Sequence, residues 1–371
     1  MSDVEDNKEL NEYLPLCDKY IPKTFSECVH SPNTSNILTK LSKTDIIEGI
    51  PNIVLYGPAG CGKYTRLLIT LNNFFKGGNP YNSSVKAINV EDGSFVPLPK
   101  SRSSIKYKVI YALVSKIHCE IELEQANAEK VLIPFLDYYS RTKNICLNTK
   151  KYIILRNIEL LNKETQNALR RIIELSQSKV SFLVTIRSIS KLIDPLKSRF
   201  LCIAVKPPTR PDVIKIIKNV SQKENFSISS SKMNEIIEKA SVGTCGTINL
   251  HEMFLILEGS SIISDNKKIV KIYTPDKCSA SDELLKVVKE GNRYEIRNTI
   301  YKIYEILKDD FENIITGDFY NKMIKELKER DKIKFVMITA NWNAEMNKNY
   351  IIQPILQAEA YLYEVCELYG V

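Results

Sequence analysis

The feature that most constrains this chain is a glycine-rich segment near its start, Gly57-Pro-Ala-Gly-Cys-Gly-Lys63. A short apolar run at residues 53–56 precedes it and predicts a buried parallel strand, and a helical pattern begins at Thr65. Strand, glycine loop and helix start are the parts of a P-loop, in which glycines let backbone N–H groups close around phosphate oxygens. The helix N-terminus and the Lys63 ammonium add positive charge. The segment therefore predicts a nucleotide-binding site.

One position of this loop departs from what magnesium chemistry needs. The residue after a P-loop lysine normally offers a small hydroxyl that holds Mg²⁺, and here that residue is Tyr64. Because a phenol cannot replace that hydroxyl, we expect the loop to hold ATP or ADP, with Mg²⁺ in doubt, and to hydrolyse it poorly. Tyr20 and Pro22 either pack over the nucleotide base or belong to a loop that crosses the domain surface. The predicted cofactor-binding residues are Gly57, Pro58, Ala59, Gly60, Cys61, Gly62, Lys63, Tyr64, Thr65, Tyr20 and Pro22.

Length and composition exclude several classes of protein. The 371 residues suffice for two or three domains, and 44% hydrophobic with 26% charged residues is typical of a soluble globular protein. No apolar run approaches the roughly 20 residues of a bilayer span, and the N-terminus lacks a secretory signal pattern, so we expect an intracellular protein. Nine cysteines without a Cys-x-x-Cys pair, and only three histidines, argue against a zinc site or disulfide framework. The net charge of +8 permits nucleic-acid binding without establishing it.

Strand and helix patterns alternate over the first 200 residues. They predict a parallel five-stranded sheet with flanking helices, and a P-loop at the carboxyl edge where such sheets bind ligands. The predicted strands are residues 53–56, 85–90, 150–156, 180–186 and 200–205. Three prolines at 207, 208 and 211 indicate a hinge. The predicted domains are a nucleotide-binding domain at 1–206, a small helical lid at 207–262, a linker at 263–280 and a helical collar for oligomerisation at 281–371.

Several motifs, in this order along the chain, resemble those of one family. The segment 18–22 is similar to its E-K-Y-R-P box, 52–63 to its Walker A motif, 166–174 to its Q-x-A-L-R-R-x-x-E helix and 192–200 to the stretch that ends in S-R-C. The chain thus resembles, over nearly its whole length, a small subunit of replication factor C, the sliding-clamp loader of the AAA+ class. Gly62-Lys-Tyr-Thr-Arg66 is similar to the G-K-K-T-R of the branch with a degenerate ATPase site.

The resemblance carries expectations about fold, partners and place of action. It implies an AAA+ domain followed by a helical lid and an all-α collar. It also implies other replication factor C subunits in a hetero-pentamer, a PCNA-like sliding clamp and primer-template DNA as partners, with no membrane. The implied location is the nucleus, or a viral replication site in the cytoplasm if the protein is viral.

Departures from the family pattern fall on positions of hydrolysis chemistry. The acidic pair of the Walker B motif falls on Arg156 and Asn157, the sensor-1 asparagine on Arg187, and the sensor-2 arginine near Gly246. Mg²⁺ prefers oxygen ligands, and an arginine cannot supply one. Together with Tyr64, these changes all remove hydrolysis chemistry, so the resemblance implies a subunit that binds nucleotide without hydrolysing it and has no metal ligands.

Other family positions are kept. Ser198-Arg199 matches the arginine-finger position, so the resemblance implies that Arg199 acts in trans on the nucleotide of a neighbouring subunit; the alternative is an ordinary surface arginine. Lys130 and Lys191 match positions that face DNA in the family, and Ser188 lies beside Lys191; the alternative is ordinary surface charge.

Two further hypotheses about the site stay open. The chain could be an ATP-hydrolysing AAA+ clamp-loader protein, or another DNA-associated ATPase, with unusual metal ligands. It could also be a scaffold that binds no nucleotide. Turnover by the purified chain separates the degenerate subunit from the ATPase, and tight binding of ADP or ATP excludes the scaffold.

Overall fold

The computed structural model describes residues 14–44, 49–76, 80–81, 83–89, 94–96, 109–125, 128–141, 150–242, 247–263, 272–273, 276–306, 311, 314–348 and 354–368. The chain divides into two compact units, residues 1–216 and 217–371. The P-loop segment and the segments 18–22, 166–174 and 192–200 all lie in the first unit.

An eight-stranded sheet with the order β3-β2-β4-β5-β6-β7-β1-β8 forms the centre of the first unit. The strands are β1 (Ile53–Tyr56), β2 (Ser84–Asn89), β3 (Phe95–Val96), β4 (Val109–Val114), β5 (His118–Glu122), β6 (Lys151–Arg156), β7 (Val180–Ile186) and β8 (Leu201–Ala204). The run β5-β6-β7-β1-β8 is parallel throughout. Strands β2, β3 and β4 extend it with antiparallel pairs.

The predicted fold class is confirmed, with one strand exchanged. Five parallel strands are present, but the predicted strand at residues 85–90 corresponds to β2, which pairs antiparallel with β4. The fifth parallel strand is β5, whose sequence His-Cys-Glu-Ile-Glu lacks the continuous apolar run that indicates a buried parallel strand. Its His118 and Glu120 side chains are nevertheless buried.

Helices cover both faces of the sheet because consecutive strand residues point to opposite sides. Val54 belongs to one apolar core together with Phe135 and Leu169, whereas Leu55 packs in a second core with Leu71. The α-helices of the first unit are Leu16–Lys19, Pro32–Leu41, Lys63–Phe74, Ala128–Arg141, Lys163–Ser176 and Asp194–Lys197, with 3-10 turns at Phe25–Glu27, Ile158–Leu160 and Ile189–Lys191.

The second unit is helical apart from the two short strands β9 (Ser241–Val242) and β10 (Thr247–Ile248). Its helices are Ser230–Lys239, Leu250–Ile263, Asp276–Glu290, Arg293–Ile306, Tyr320–Glu326, Glu329–Lys348 and Pro354–Glu367, with a π-helix at Ile314–Phe319, while helix Arg210–Lys223 crosses the boundary between the units. A core of aromatic and aliphatic side chains, Phe319 and Phe335 among them, joins the helices after residue 276. The helix Asp276–Glu290 begins inside the predicted linker. None of the described helices combines the length and apolar character that a bilayer span requires.

Candidate nucleotide site

The P-loop follows β1 directly and turns through backbone conformations that require glycine. Gly57 has φ 154°, and a Cβ built on it would lie 2.3 Å from the carbonyl oxygen of Val205. Gly60 and Gly62 have φ values of 69° and 73°, in the left-handed region that favours glycine. The loop therefore keeps the tight backbone path that points N–H groups at a phosphate.

Lys63 opens the following helix, Lys63–Phe74, and lies over the loop. Its ammonium donates to the carbonyl oxygens of Gly57 and Pro58, both at 2.7 Å. Burial lowers the pKa of Lys63 below its ordinary value, and nearby Glu159 acts in the opposite direction. The loop backbone, the helix start and this ammonium together fit the phosphates of a nucleotide.

A buried arginine ties the P-loop to the N-terminal segment. Arg66 is 1% exposed, and its guanidinium donates to the carbonyl oxygens of His30 at 2.6 Å, Cys61 at 3.1 Å and Gly62 at 3.3 Å. The His30 ring nitrogen Nε2 lies 2.9 Å from the same Cys61 oxygen. The motif pattern predicts no such role for Arg66, although a charged residue beside Leu67 on a buried helix is a signal for it.

The Tyr64 side chain belongs to an ion-paired cluster, here called the Arg156 cluster, which consists of Tyr64, Glu120, Glu122 and Arg156. The Tyr64 hydroxyl donates to Glu120 Oε2 at 2.8 Å. The Arg156 guanidinium reaches Glu120 Oε1 at 3.3 Å and Glu122 Oε1 at 3.1 Å, and its carbon lies 4.7 Å from the centre of the Tyr64 ring. Arg156 thus ties together the ends of β5 and β6, in which it pairs with Glu122 by register.

The charge of Glu120 depends on Arg156. Burial raises the pKa of Glu120, and the hydrogen bonds from Tyr64 and Arg156 act against that rise. Burial lowers the pKa of His118 to about 4, so its ring is neutral at neutral pH although Nε2 lies 3.9 Å from Glu120. Burial and the neighbouring Glu120 raise the pKa of Tyr64 far above its usual range, so the phenol stays a donor. Arg156 is therefore the cation that balances this buried carboxylate.

The remaining Walker B and sensor-1 positions form a second polar group beside Lys63. Asn157 adopts a left-handed conformation, with φ 59°, and its amide donates to Glu124 at 2.7 Å. The Arg187 guanidinium lies 3.5 Å from Glu159 and 3.7 Å from Glu124. Glu159, which the resemblance predicts as the last acid of the Walker B box, is 6% exposed and faces this arginine.

The residues present do not fit Mg²⁺. The hydroxyl that follows Lys63 is committed to Glu120, and the carboxylates near it are engaged by Arg156. Over the part of the chain that the structure describes, no three His, Cys, Asp or Glu side chains are grouped to hold a metal ion. The P-loop geometry therefore fits a phosphate chain, whereas the described residues beside it provide no set of metal ligands.

Arg199 lies away from the P-loop. It forms an ion pair with Glu174 and donates to the carbonyl oxygen of Pro195 at 2.6 Å. It lines a groove with Asn52, which directly precedes β1, and the carbonyl of Asn52 accepts from the N–H of Leu201. The P-loop follows the other end of β1, so Arg199 and the P-loop lie at opposite ends of that strand.

The other predicted residues are not brought to the P-loop by any described contact. Lys130 in the first turn of helix Ala128–Arg141, Ser188 and Lys191 are exposed. Ser188 shares a hydroxyl contact with Ser190 at 2.8 Å. Tyr20 and Pro22 are half-buried near the N-terminus, and their role stays a prediction. Gly246 lies outside the described residues.

Comparison with known proteins gives one consistent group of relatives. Replication factor C subunit 5 of Saccharomyces cerevisiae is 27% identical over 304 residues, which covers 78% of this chain and 80% of that protein. Replication factor C subunit 3 of Arabidopsis thaliana is 24% identical over 371 residues, covering 95% and 96%. The chain is thus similar to replication factor C subunits 3 and 5. The human subunit 3 is 27% identical over 228 residues, or 60% of each chain.

Other comparisons add little to this assignment. No protein-family model matches the chain. Among solved structures, the Aeropyrum pernix ORC1 protein in complex with DNA covers 95% of this chain at 12% identity and a TM-score of 0.46. The Thermotoga maritima RuvB branch migration motor covers 77% at 16% identity and a TM-score of 0.43. Both TM-scores are below 0.5, so these structures carry no argument about this chain.

Proposed function

We propose that this chain is a subunit of a sliding-clamp loader that helps to load a DNA polymerase processivity clamp onto primed DNA. The replication factor C relatives, two of which match over most of both chains, support this role. The P-loop on a parallel sheet supports a nucleotide-binding subunit. The proposed partners are other replication factor C subunits in a hetero-pentamer, a PCNA-like clamp and primer-template DNA, acting in the nucleus or at a viral replication site.

The proposed subunit binds ATP or ADP but does not hydrolyse it. The Arg156 cluster is the single observation that carries this part of the proposal. Hydrolysis of a P-loop nucleotide needs a metal ion on the phosphates and a residue that orients the attacking water. Here a guanidinium occupies the Walker B metal-ligand position, and Arg187 holds Glu159, the remaining acid.

Arg199 is proposed to serve a neighbouring subunit's nucleotide in trans. Its position at the end of β1 opposite the P-loop removes it from the nucleotide of its own chain. In a separate chain the guanidinium is held by Glu174, so assembly must exchange that ion pair for a phosphate. A guanidinium can bind a carboxylate or a phosphate with paired N–H donors, so this exchange keeps the same type of bond.

Turnover by the purified chain tests the proposal for its own site. With ATP, Mg²⁺ and primed DNA we expect no hydrolysis above that of the Lys63→Ala variant, while calorimetry detects ADP or ATP on the wild type and not on the variant. Robust turnover abolished by Lys63→Ala would instead support an ATPase with unusual ligands. No nucleotide binding by a folded wild-type chain would support the scaffold.

A reconstituted complex tests Arg199. We expect Arg199→Ala to leave subunit assembly intact and to remove the contribution of one ATP site, at which an arginine finger is worth about 10³–10⁵ in rate. Arg170→Ala is the matched control, because Arg170 also lies against Glu174, at 3.5 Å. Equal ATPase rates for the Arg199→Ala and wild-type complexes would contradict the finger role.

Contacts to DNA are proposed for the exposed residues Lys130, Ser188 and Lys191. Family members of this kind are expected to follow the duplex backbone, so these side chains would contact phosphates and read no sequence. The division into an AAA+ domain at 1–206, a lid at 207–262, a linker at 263–280 and a collar at 281–371 likewise remains a proposal. Limited proteolysis that cuts near residues 206 and 270 would support it.

A further inference from the structure

We propose that the site takes a nucleoside di- or triphosphate in its metal-free form, because the Arg156 cluster has replaced the magnesium ligands with an internal ion pair. This inference rests on the proposed nucleotide binding and specifies the chemical form of the ligand. It concerns binding affinity, so it can be tested without turnover.

The first step is the loss of the hydroxyl ligand. In a P-loop the residue after the lysine presents a hydroxyl to Mg²⁺. Here the Tyr64 hydroxyl is bound to Glu120 Oε2 at 2.8 Å, on β5. The Arg156 guanidinium lies over the Tyr64 ring, 4.7 Å from its centre, and this contact holds the phenol towards Glu120. The side chain that should meet the metal is therefore fixed on a different partner.

The second step is the state of the nearby carboxylates. Glu120 accepts from both Tyr64 and Arg156, and Glu122 is paired with Arg156 at 3.1 Å. The Arg187 guanidinium lies 3.7 Å from Glu124 and 3.5 Å from Glu159, and the Arg187 backbone N–H donates to Glu159 Oε2 at 3.4 Å. A divalent cation at this edge would have to break an existing ion pair and would face a guanidinium at close range. Its binding is opposed by charge as well as by the lack of ligands.

The third step concerns the charge that a metal ion would otherwise supply to the phosphates. Lys63, Arg156 and Arg187 provide fixed cations on the P-loop, β6 and the residue after β7, three neighbouring segments of the sheet. Four glutamates offset the charges of the two arginines, so Lys63 and the P-loop N–H groups remain as the donors to the phosphates. We therefore expect nucleotide affinity not to require Mg²⁺, because the described residues offer the ion no set of ligands.

Calorimetric titration of the full chain with ADP and with ATP tests this directly. Each titration is run in excess Mg²⁺ and in excess EDTA. We expect dissociation constants in EDTA that are equal to, or lower than, those in Mg²⁺. A dissociation constant more than about tenfold higher in EDTA, or about 1.4 kcal/mol, would overturn the inference and leave nucleotide binding standing. Failure to bind in either buffer would overturn both proposals.

A variant that restores the ligand types provides the second arm. Tyr64→Thr with Arg156→Asp returns a small hydroxyl and a carboxylate, and Glu120→Gln in the same chain removes the charge that Arg156 balanced. We expect this triple variant to bind ADP more tightly in Mg²⁺ than in EDTA. Arg330→Asp, an exposed arginine in the first turn of helix Glu329–Lys348, is the control and should show no metal effect. A folded triple variant as insensitive to Mg²⁺ as the wild type would contradict the assigned role of the cluster.

Discussion

Replacing Arg156 by methionine tests the electrostatic basis of the site. Arg156 pairs with Glu120, whose side chain is 2% exposed, at a distance of 3.3 Å. Methionine keeps an unbranched side chain that can still pack on the Tyr64 ring, so the change removes the charge and the donors and little of the packing. The buried carboxylate then loses its cation.

The expected cost follows from the burial of the two partners. Removing one partner of a buried ion pair typically costs about 3–5 kcal/mol. The Tyr64 hydroxyl still donates to Glu120, and the Arg156 side chain is 30% exposed, so solvent already screens part of the pair. We therefore expect a loss of about 2 kcal/mol in the opening free energy of β5 and β6, or about 30-fold faster amide exchange.

The loss of opening free energy in the Arg156→Met variant should increase with pH. A carboxyl whose pKa is raised by folding stabilises the fold while protonated, and this contribution is lost as pH rises through the folded pKa. Burial already raises the pKa of Glu120, and Arg156 is one of the groups that oppose the rise. In the Arg156→Met variant the pKa of Glu120 is therefore raised further. The cost of the substitution should therefore be greatest near neutral pH and shrink as pH falls towards about 5.

Hydrogen exchange followed by mass spectrometry measures this locally. Peptides across His118–Glu122 and Lys151–Arg156 report the change, and helix Arg293–Ile306 in the second unit is an internal control. Arg171→Met, at an exposed arginine, controls for the loss of charge. Adding Glu120→Gln to Arg156→Met should recover more than half of the lost protection. Amide exchange rates in the Arg156→Met variant equal to those of the wild type would refute the reasoning. So would a double variant, Arg156→Met with Glu120→Gln, that recovers none of the lost protection.

Other expected outcomes concern the loop and the DNA-facing surface. Arg66→Met should weaken ADP binding in calorimetry more than about tenfold, because three carbonyl oxygens lose a buried donor, and Arg66→Lys should recover part of it. Gly57→Ala should destabilise the first unit in exchange measurements by at least about 2 kcal/mol, since its Cβ would meet the Val205 oxygen at 2.3 Å. Lys191→Ala should reduce the salt dependence of duplex DNA binding by the reconstituted complex by about 0.9 in log–log slope, whatever the sequence.

The fold was predictable where hydrophobic pattern and burial agree. The apolar runs of β1 and β7 indicate buried parallel strands, and all seven residues of β7 are buried. Strand β5 was not predictable from its pattern, because two of its five residues are glutamates and one is a histidine. Glu120 is nevertheless buried because Tyr64 and Arg156 donate to it, and the buried His118 ring has Ser115 Oγ at 2.8 Å from Nδ1. Partners from other strands and helices stabilise β5, whose own sequence lacks a hydrophobic strand pattern.

The site was predictable in its positions but not in its pairings. Motif spacing places Tyr64 and Arg156 at positions that normally serve a metal ion. The sequence cannot show that these two residues meet on Glu120, because 56 and 36 residues separate them from it. The contact of Arg66 was equally unpredictable, because the His30 carbonyl oxygen that accepts from it lies 36 residues away in the sequence. Contacts of this range depend on the order of strands in the sheet, which local patterns do not encode.

The bonds of Arg66 join two parts of the chain into one thermodynamic unit. The same guanidinium that bonds Cys61 and Gly62 in the phosphate loop also bonds His30, whose ring in turn contacts Cys61. Thr34 just beyond it donates to the carbonyl oxygen of Ala204 at the end of β8. A ligand that orders the loop must therefore favour docking of this N-terminal segment, and docking must favour the ligand by the same factor. A substitution at Thr34 that weakens this docking should therefore lower nucleotide affinity from outside the pocket.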